Sequence, residues 1–186
     1  MLVSARITYP IVVIDFEATA LALESYPIEV GVAILTEPSA QVSTWSALIK
    51  PDPAWHIDAQ WDYDAERVHG ISRWALREGL EPLSVMAELN SLIPPGATVW
   101  CDGGHYDVGW LGTLSSASGT MPTFMLGDIG AVLRADDALR IRYLTCLATT
   151  PPPHRAGPDA ERICRALHAA ISEPKFHHPF SENNQE

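Results

Sequence analysis

Residues 7–17 decide the fold that this sequence predicts, and they run Ile7-Thr8-Tyr9-Pro10-Ile11-Val12-Val13-Ile14-Asp15-Phe16-Glu17. Residues 7–16 are mostly apolar and β-branched, and the run is short, so we predict a buried strand rather than a helix. Successive side chains of a strand point to opposite faces, so Asp15 and Glu17 project together while Phe16 projects the other way. The strand therefore brings two carboxylates into one small space at its end.

Two carboxylates held this close have two interpretations. Like charges in contact are costly unless they share a proton or bind a cation, and their hard oxygens suit Mg²⁺ or Mn²⁺. Alternatively, Asp15 and Glu17 are solvated acids at a strand end, because an Asp-x-Glu pattern is common in any sequence. Taken alone, the pattern favours the solvated acids.

The rest of the chain predicts strands first and then alternating helices and strands. Residues 28–35 and 42–49 repeat the strand pattern, with a turn at residues 37–40, so we expect an antiparallel meander of three strands. Residues 51–79 are irregular, with short helical pieces. After them we predict helices over 82–92 and 105–116, strands over 97–101 and 124–126, a helix from about 129, and a last helix over 158–171.

Two later segments supply further acids and a histidine. Asp107 follows the strand that ends near Cys101. The three prolines 151–153 cannot continue a helix, so His154 is predicted in a loop and Asp159 in the first turn of the last helix. Three or four carboxylates can hold two divalent ions, and a histidine can take a proton from an attacking water.

With these segments in place, the chain resembles the DEDDh branch of the DnaQ-like 3′-to-5′ exonucleases in three ordered motifs. The motifs are Asp15-Phe16-Glu17-Ala18-Thr19, which continues into Pro27-Ile28-Glu29-Val30-Gly31; Tyr106-Asp107, with Trp110-Leu111 after it; and His154-Arg155-Ala156-Gly157-Pro158-Asp159. His69-Gly70-Ile71, between the first two, is another segment that the family commonly shows. The resemblance runs from about residue 11 to about residue 167, and the ordered set is far more specific than any single motif.

The resemblance implies an α/β protein with a ribonuclease-H-like fold. Its mixed five-stranded sheet would have three antiparallel strands and then two parallel ones, flanked by helices. Asp15, Glu17 and Asp159 would hold one ion, and Asp15 would bridge to a second ion with Asp107. The two ions would be Mg²⁺ or Mn²⁺, and His154 would deprotonate the water. The expected activity is hydrolysis from the 3′ end of short or single-stranded RNA or DNA, which releases 5′-nucleoside monophosphates.

Substrate contacts are expected near the first two motifs. The candidates are Ala18, Thr19, Leu21, His69, Ile71 and Tyr106. Three of them have an alternative role, because Thr19 suits a turn and Leu21 suits the core about equally well, and His69 suits a turn anchor better than a substrate contact. Ile71 is the better candidate for packing against the terminal base. Most tryptophans are expected in the core, namely Trp45, Trp74, Trp100 and Trp110, whereas Trp55 and Trp61 are better placed to line a groove.

The chain also departs from the family's commoner pattern. Ala20 stands where glycine is frequent, which would narrow the approach to the terminal nucleotide. Asp102-Gly103 occupies the place of a frequent His-Asn pair and adds an acid close to the expected metal site. Asp102 suits an outer-shell metal ligand and, about as well, a strand-end turn or a helix cap.

Composition restricts how such an enzyme would bind nucleic acid. The 186 residues include 12 Lys and Arg against 23 Asp and Glu, a formal net charge of −11. Binding along a long backbone relies on many cationic phosphate contacts, so this charge favours a substrate of a few nucleotides at one strand end.

The odd number of cysteines, in no metal-ligand spacing, predicts a reducing, cytoplasmic setting, and no segment predicts a membrane span. A homodimer stays open.

We predict one domain over residues 1–172 and a weakly ordered tail over 173–186, which is polar and without periodicity. The main alternative function is a non-catalytic DnaQ-like module that binds a nucleic-acid end or a protein. An acidic scaffold or metal-binding protein is a third class, but in such a protein the three motifs would stand in the right order only by chance.

Overall fold

A mixed five-stranded sheet forms the centre of the protein in a computed structural model that describes residues 6–22 and 24–172. The strands are β1 (Ile11–Ala18), β2 (Pro27–Leu35), β3 (Ser43–Leu48), β4 (Thr98–Cys101) and β5 (Met125–Asp128), in the order β3-β2-β1-β4-β5. The pairs β1–β2 and β2–β3 are antiparallel, and β4 and β5 continue the sheet in parallel. The predicted ribonuclease-H-like arrangement is therefore confirmed.

Within the part of the chain that the structure describes, six α-helices and one 3-10 helix surround the sheet. They are α1 (Tyr63–His69), the 3-10 helix Ala75–Glu78, α2 (Pro82–Leu92), α3 (His105–Ser118), α4 (Ile129–Ala135), α5 (Asp137–Leu147) and α6 (Ala156–Ile171). The apolar side chains of β1 alternate between two cores. Val12, Ile14 and Phe16 pack towards α2 and α3, whereas Ile11 and Val13 pack towards α4, α5 and α6.

Several boundaries differ from the sequence prediction. β1 begins at Ile11, directly after Pro10, whose nitrogen cannot donate to a strand ladder. The helix predicted from residue 129 is divided in two, because Asp136 is extended and its carboxylate accepts the N–H of Leu139 at 2.9 Å, capping α5. The last helix begins at Ala156, earlier than predicted, and still has Asp159 in its first turn.

The expectation that Trp74 belongs to the core is wrong. Its side chain is 69% exposed, and the guanidinium of Arg77 lies over its ring at 4.0 Å from the centroid. Trp100 and Trp110 are buried as expected.

Two expectations concern the ends of the chain and the membrane. The predicted weakly ordered tail, residues 173–186, lies outside the described residues. Across residues 6–22 and 24–172, no helix combines the length and the apolar character that crossing a membrane requires.

Candidate active site

Three carboxylates converge at the carboxyl end of β1. Asp15, Glu17 and Asp159 each offer one oxygen, and these oxygens all lie within 4.8 Å of one another. Asp15 and Glu17 share a face of β1, as their spacing predicts, and α6 crosses that face and brings Asp159 over the strand end. Acids distant in the sequence therefore meet at one point.

The start of α6 is seated closely on β2. A Cβ atom on Gly31 would lie 2.2 Å from the backbone carbonyl carbon of Ala156, so only glycine allows this approach. Asp159 is held in the first turn of α6, where its Oδ2 accepts the backbone N–H of Arg155 at 3.0 Å. The helix thus presents Asp159 from a rigid element.

Asp107 approaches the cluster from the first turn of α3. Its side chain is buried, and its Oδ2 accepts the backbone N–H of Gly103 at 2.9 Å. Its oxygens are not part of the group that meets within 4.8 Å, yet its charge acts on Asp15. The structure therefore places Asp107 beside the three-carboxylate group rather than within it.

Asp102 is a further acid at the same end of the sheet. Val13 pairs with Trp100 across β1 and β4, so Asp102, two residues after Trp100, follows its strand beside Asp15. Asp102 does not cap α3, because Gly104 is the residue that precedes this helix and no described side chain makes a capping hydrogen bond to it. The charge of Asp102 raises the pKa of both Asp15 and Asp107.

Burial and like charges raise the pKa of several of these acids. Burial raises the pKa of Asp15 well above its usual value, and Asp102, Asp107, Glu17 and Asp159 add to the shift. Burial, and then Asp159 and Glu29, raise the pKa of Glu17 to about 7. Burial and Asp102 raise the pKa of Asp107 to about 7. A group of crowded oxygen donors with this excess of negative charge fits hard divalent cations.

These pKa values predict that the metal-free protein becomes less stable as the pH rises. Glu17 and Asp107 ionise near pH 4 in an unfolded chain and near pH 7 in the folded one, so between these values the folded state holds protons that the unfolded state has released. We expect the Tm in EDTA to fall by about 5 °C or more between about pH 5 and about pH 8. Thermal unfolding followed by circular dichroism measures it.

Two variants and a metal ion serve as controls for this prediction. Glu17→Gln should flatten the dependence of Tm on pH, whereas Glu88→Gln, at an exposed position of α2, should keep the wild-type slope. Mn²⁺ should raise the Tm most at the higher pH, because it binds the deprotonated carboxylates. A Tm in EDTA that rises with pH over this range would contradict the assignment of charge to the cluster.

His154 lies in the loop before α6, as predicted, and its side chain is exposed. Its backbone adopts a φ of 55°, in the left-handed region that residues other than glycine seldom occupy. Pro153 precedes it, and the N-cap residue Arg155 follows it. The loop thus projects the imidazole into solvent from a restricted backbone.

A cavity of about 390 Å³ opens beside the carboxylates. Glu17 lines it and also belongs to the three-carboxylate group, so the cavity and the cluster share a wall. Three of the predicted substrate residues line it, namely Ala18, Leu21 and His69. Ala20 lines it as well, at the position where the family commonly has glycine.

His69 has features of both roles considered for it. Its Nδ1 accepts the backbone N–H of Ile71 at 2.9 Å, which anchors the turn after α1. The proton therefore belongs on Nε2, and this buried atom has no hydrogen-bond partner among the described residues. Burial lowers the pKa of His69, so its ring is neutral, and the residue also lines the cavity.

The other predicted substrate residues do not line this cavity. Thr19 is fully buried, its N–H donates to the carbonyl oxygen of Tyr26 at 2.9 Å, and its hydroxyl accepts the N–H of Tyr26 at 3.1 Å, which are turn contacts. Ile71 packs in a small core with Ile28 and Leu76. Tyr106 stacks on Trp110, with ring centroids 5.7 Å apart, and Trp110 lines the cavity.

Two parts of the site were assigned no role from the sequence. One wall of the cavity comes from α1, through Asp64, Ala65 and Val68, within a segment whose sequence shows no clear period. The other part is the buried Glu29, an acid inside an apolar strand, whose position was itself a signal of a specific partner.

Comparison with known proteins identifies the fold. No protein-family model matches the chain, and no curated protein matches it in sequence. Solved structures of Escherichia coli exonuclease I do match. The complex with a dA16 oligonucleotide has a TM-score of 0.68 and 14% identity, and the zinc-bound complex with single-stranded DNA has a TM-score of 0.66 and 14% identity. Each match covers 87% of this chain and 40% of the exonuclease I chain, so this chain spans less than half the length of that protein. The chain therefore shares the ribonuclease-H-like fold described above with part of E. coli exonuclease I.

Proposed function

We propose that the protein is a 3′-to-5′ exonuclease that depends on Mg²⁺ or Mn²⁺ and releases 5′-nucleoside monophosphates. The observation that carries this proposal is the convergence of Asp15, Glu17 and Asp159 within 4.8 Å at the wall of a cavity. A scissile phosphate at the carboxylates would place the terminal nucleoside in the cavity, whose volume suits a small ligand.

Each residue has a defined role in the proposed reaction. Asp15, Glu17 and Asp159 would hold one divalent ion, and Asp107 would help Asp15 to hold a second. When bound, such ions lower the pKa of a water and stabilise charge on the leaving oxygen. His154 accepts the proton of the attacking water, and its exposed loop allows it to close over a bound strand end. His69 contacts the terminal nucleotide from the cavity wall.

The charge of the chain supports a short substrate. Seven ion pairs among the described residues engage Arg or Lys side chains with carboxylates, which leaves few free cations for phosphates. Contacts are therefore expected to concentrate on the last nucleotides of a single strand, RNA or DNA. We further propose that residues 1–172 form one domain that carries this activity, and that the protein acts in the cytoplasm, where the three free cysteines would stay reduced.

A labelled oligonucleotide tests the proposal directly. A single strand that carries its label at the 3′ end is incubated with the protein in Mn²⁺, in Mg²⁺ and in EDTA, and a 5′-labelled strand is digested in parallel. We expect the 3′ label to appear as a 5′-mononucleotide with either metal and to stay on the strand in EDTA. A phosphorothioate at the last linkage should slow release, and one at the first linkage should not.

The controls separate this activity from a contaminating nuclease and from the non-catalytic alternative. Asp15→Asn protein purified in the same way reports any contaminating nuclease. Hydrolysis that persists in EDTA, or no hydrolysis with any metal, would refute the proposal. Binding of the strand without hydrolysis would instead support the non-catalytic module. Matched RNA and DNA strands of several lengths then define the preferred substrate.

A further inference from the structure

Glu29 is a buried acid that the roles above leave unused. It is 3% exposed, on β2, and pairs across the antiparallel ladder with Glu17. Directly opposed residues project to the same face of a sheet, so Glu29 faces α6 from beside the carboxylate cluster. A buried carboxylate in this position needs partners that offset the loss of water.

The partners of Glu29 all come from the start of α6. The guanidinium of Arg155 donates to it in a bidentate pair, from Nε at 3.0 Å to Oε2 and from a terminal nitrogen at 2.5 Å to Oε1. The backbone N–H of Ala156 donates to Oε2 at 2.9 Å. Both carboxylate oxygens are therefore occupied by donors, and Glu29 is not a metal ligand in this arrangement.

The residue held by Glu29 stands between the two functional groups of the third motif. His154 precedes Arg155, and the backbone N–H of Arg155 donates to Oδ2 of Asp159 at 3.0 Å. Gly31, two residues after Glu29 on β2, packs closely against the first residues of α6 and so holds the same turn in place. Hydrogen bonds and close packing thus fix one segment to the strand that pairs with β1.

We propose that Glu29 is a positioning residue that, through Arg155, sets the carboxylate of Asp159 and the imidazole of His154 for hydrolysis. This role rests on the proposed exonuclease activity. Small displacements of metal ligands and of the general base lower kcat more than they weaken substrate binding. Losing the Glu29–Arg155 pair should therefore act mainly on kcat.

A double-mutant cycle measures this role. Glu29→Gln, Arg155→Gln and the double variant are assayed at saturating Mn²⁺, at a temperature where each variant is folded by circular dichroism. We expect each to lower kcat about tenfold and to change KM less than about twofold, and the double variant to lose no more than the worse single one. Arg155→Lys should not restore kcat, because an ammonium cannot make the bidentate pair.

A second measurement does not depend on turnover. Calorimetric titration of each variant with Mn²⁺ should show a Kd raised several-fold, because Asp159 has lost its orientation. Arg165→Gln is the matched control, since it breaks the exposed Arg165–Glu161 pair on the same helix and should leave kcat and the Mn²⁺ Kd unchanged.

The outcomes distinguish this inference from the proposed function. If Glu29→Gln and Arg155→Gln keep wild-type kcat and Mn²⁺ affinity, or lower only the Tm, the positioning role is refuted while the exonuclease stands. Effects that add in the double variant would also refute it. A wild-type protein that fails to hydrolyse any strand refutes the proposed function, and the Mn²⁺ titrations then still decide whether Glu29 orients Asp159.

Discussion

Asp15→Asn protein is expected to lose hydrolysis, to below about one-thousandth of the wild-type kcat, while unfolding at a higher temperature in EDTA. Asp15 lies at the centre of the cluster and would contact both ions, so its loss removes charge stabilisation that is worth several kcal/mol in metal-assisted hydrolysis. The same change removes repulsion from Asp102, Asp107, Glu17 and Asp159, which raises the stability of the metal-free fold.

The two opposite effects make this prediction specific. Rates on a 3′-labelled strand give the first, thermal unfolding in EDTA gives the second, and calorimetry should show weakened Mn²⁺ binding. Glu88→Gln removes an exposed acid from α2 and should change none of the three. Near-native activity of the Asp15→Asn protein would show that the metal site lies elsewhere.

His154→Ala protein is expected to turn over about a hundredfold more slowly at neutral pH, with its fold and its affinity for Mn²⁺ intact. Removing the imidazole leaves the attacking water without a base, but it leaves all four carboxylates in place. Single-turnover rates measure the effect without interference from product release. Imidazole added to the buffer should restore part of the rate to this variant and none to the Asp15→Asn protein.

The left-handed backbone at His154 calls for its own control. Asparagine tolerates that conformation better than alanine, so His154→Asn should be as slow as His154→Ala if the imidazole matters. Recovery of the rate in His154→Asn would assign the defect to the loop backbone instead. His56→Ala, at another exposed histidine, should keep the wild-type rate. A wild-type rate in His154→Ala would remove His154 from the mechanism.

The elements with strong local signals were predictable from sequence. The helix Pro82–Leu92 has the predicted bounds, because a proline suits its first turn and Pro94 and Pro95 end it. The convergence of Asp15 and Glu17 follows from the period of a strand. Only the order of the three motifs implied that Asp159 lies beside Asp15 and Glu17, because no local sequence pattern brings the last helix to the first strand.

The rest depended on contacts between distant side chains. Glu29 and Arg155 are 126 residues apart, and no periodicity links them. The wall that α1 adds to the cavity arises in an irregular segment, where packing rather than propensity sets the structure. Trp74 was placed in the core from its residue type, but a guanidinium covers its ring at the surface.

The seating of α6 on β2 has a consequence for biosynthesis. A chain leaves the ribosome from its N-terminus, so β1, β2 and their acids emerge long before α6. Until Asp159 arrives, the nascent protein carries a sheet with an uncovered apolar face and an incomplete set of carboxylates. The step that buries this face is the same step that completes the cluster, so a nascent chain would gain the capacity to cut nucleic acid only as its fold closes.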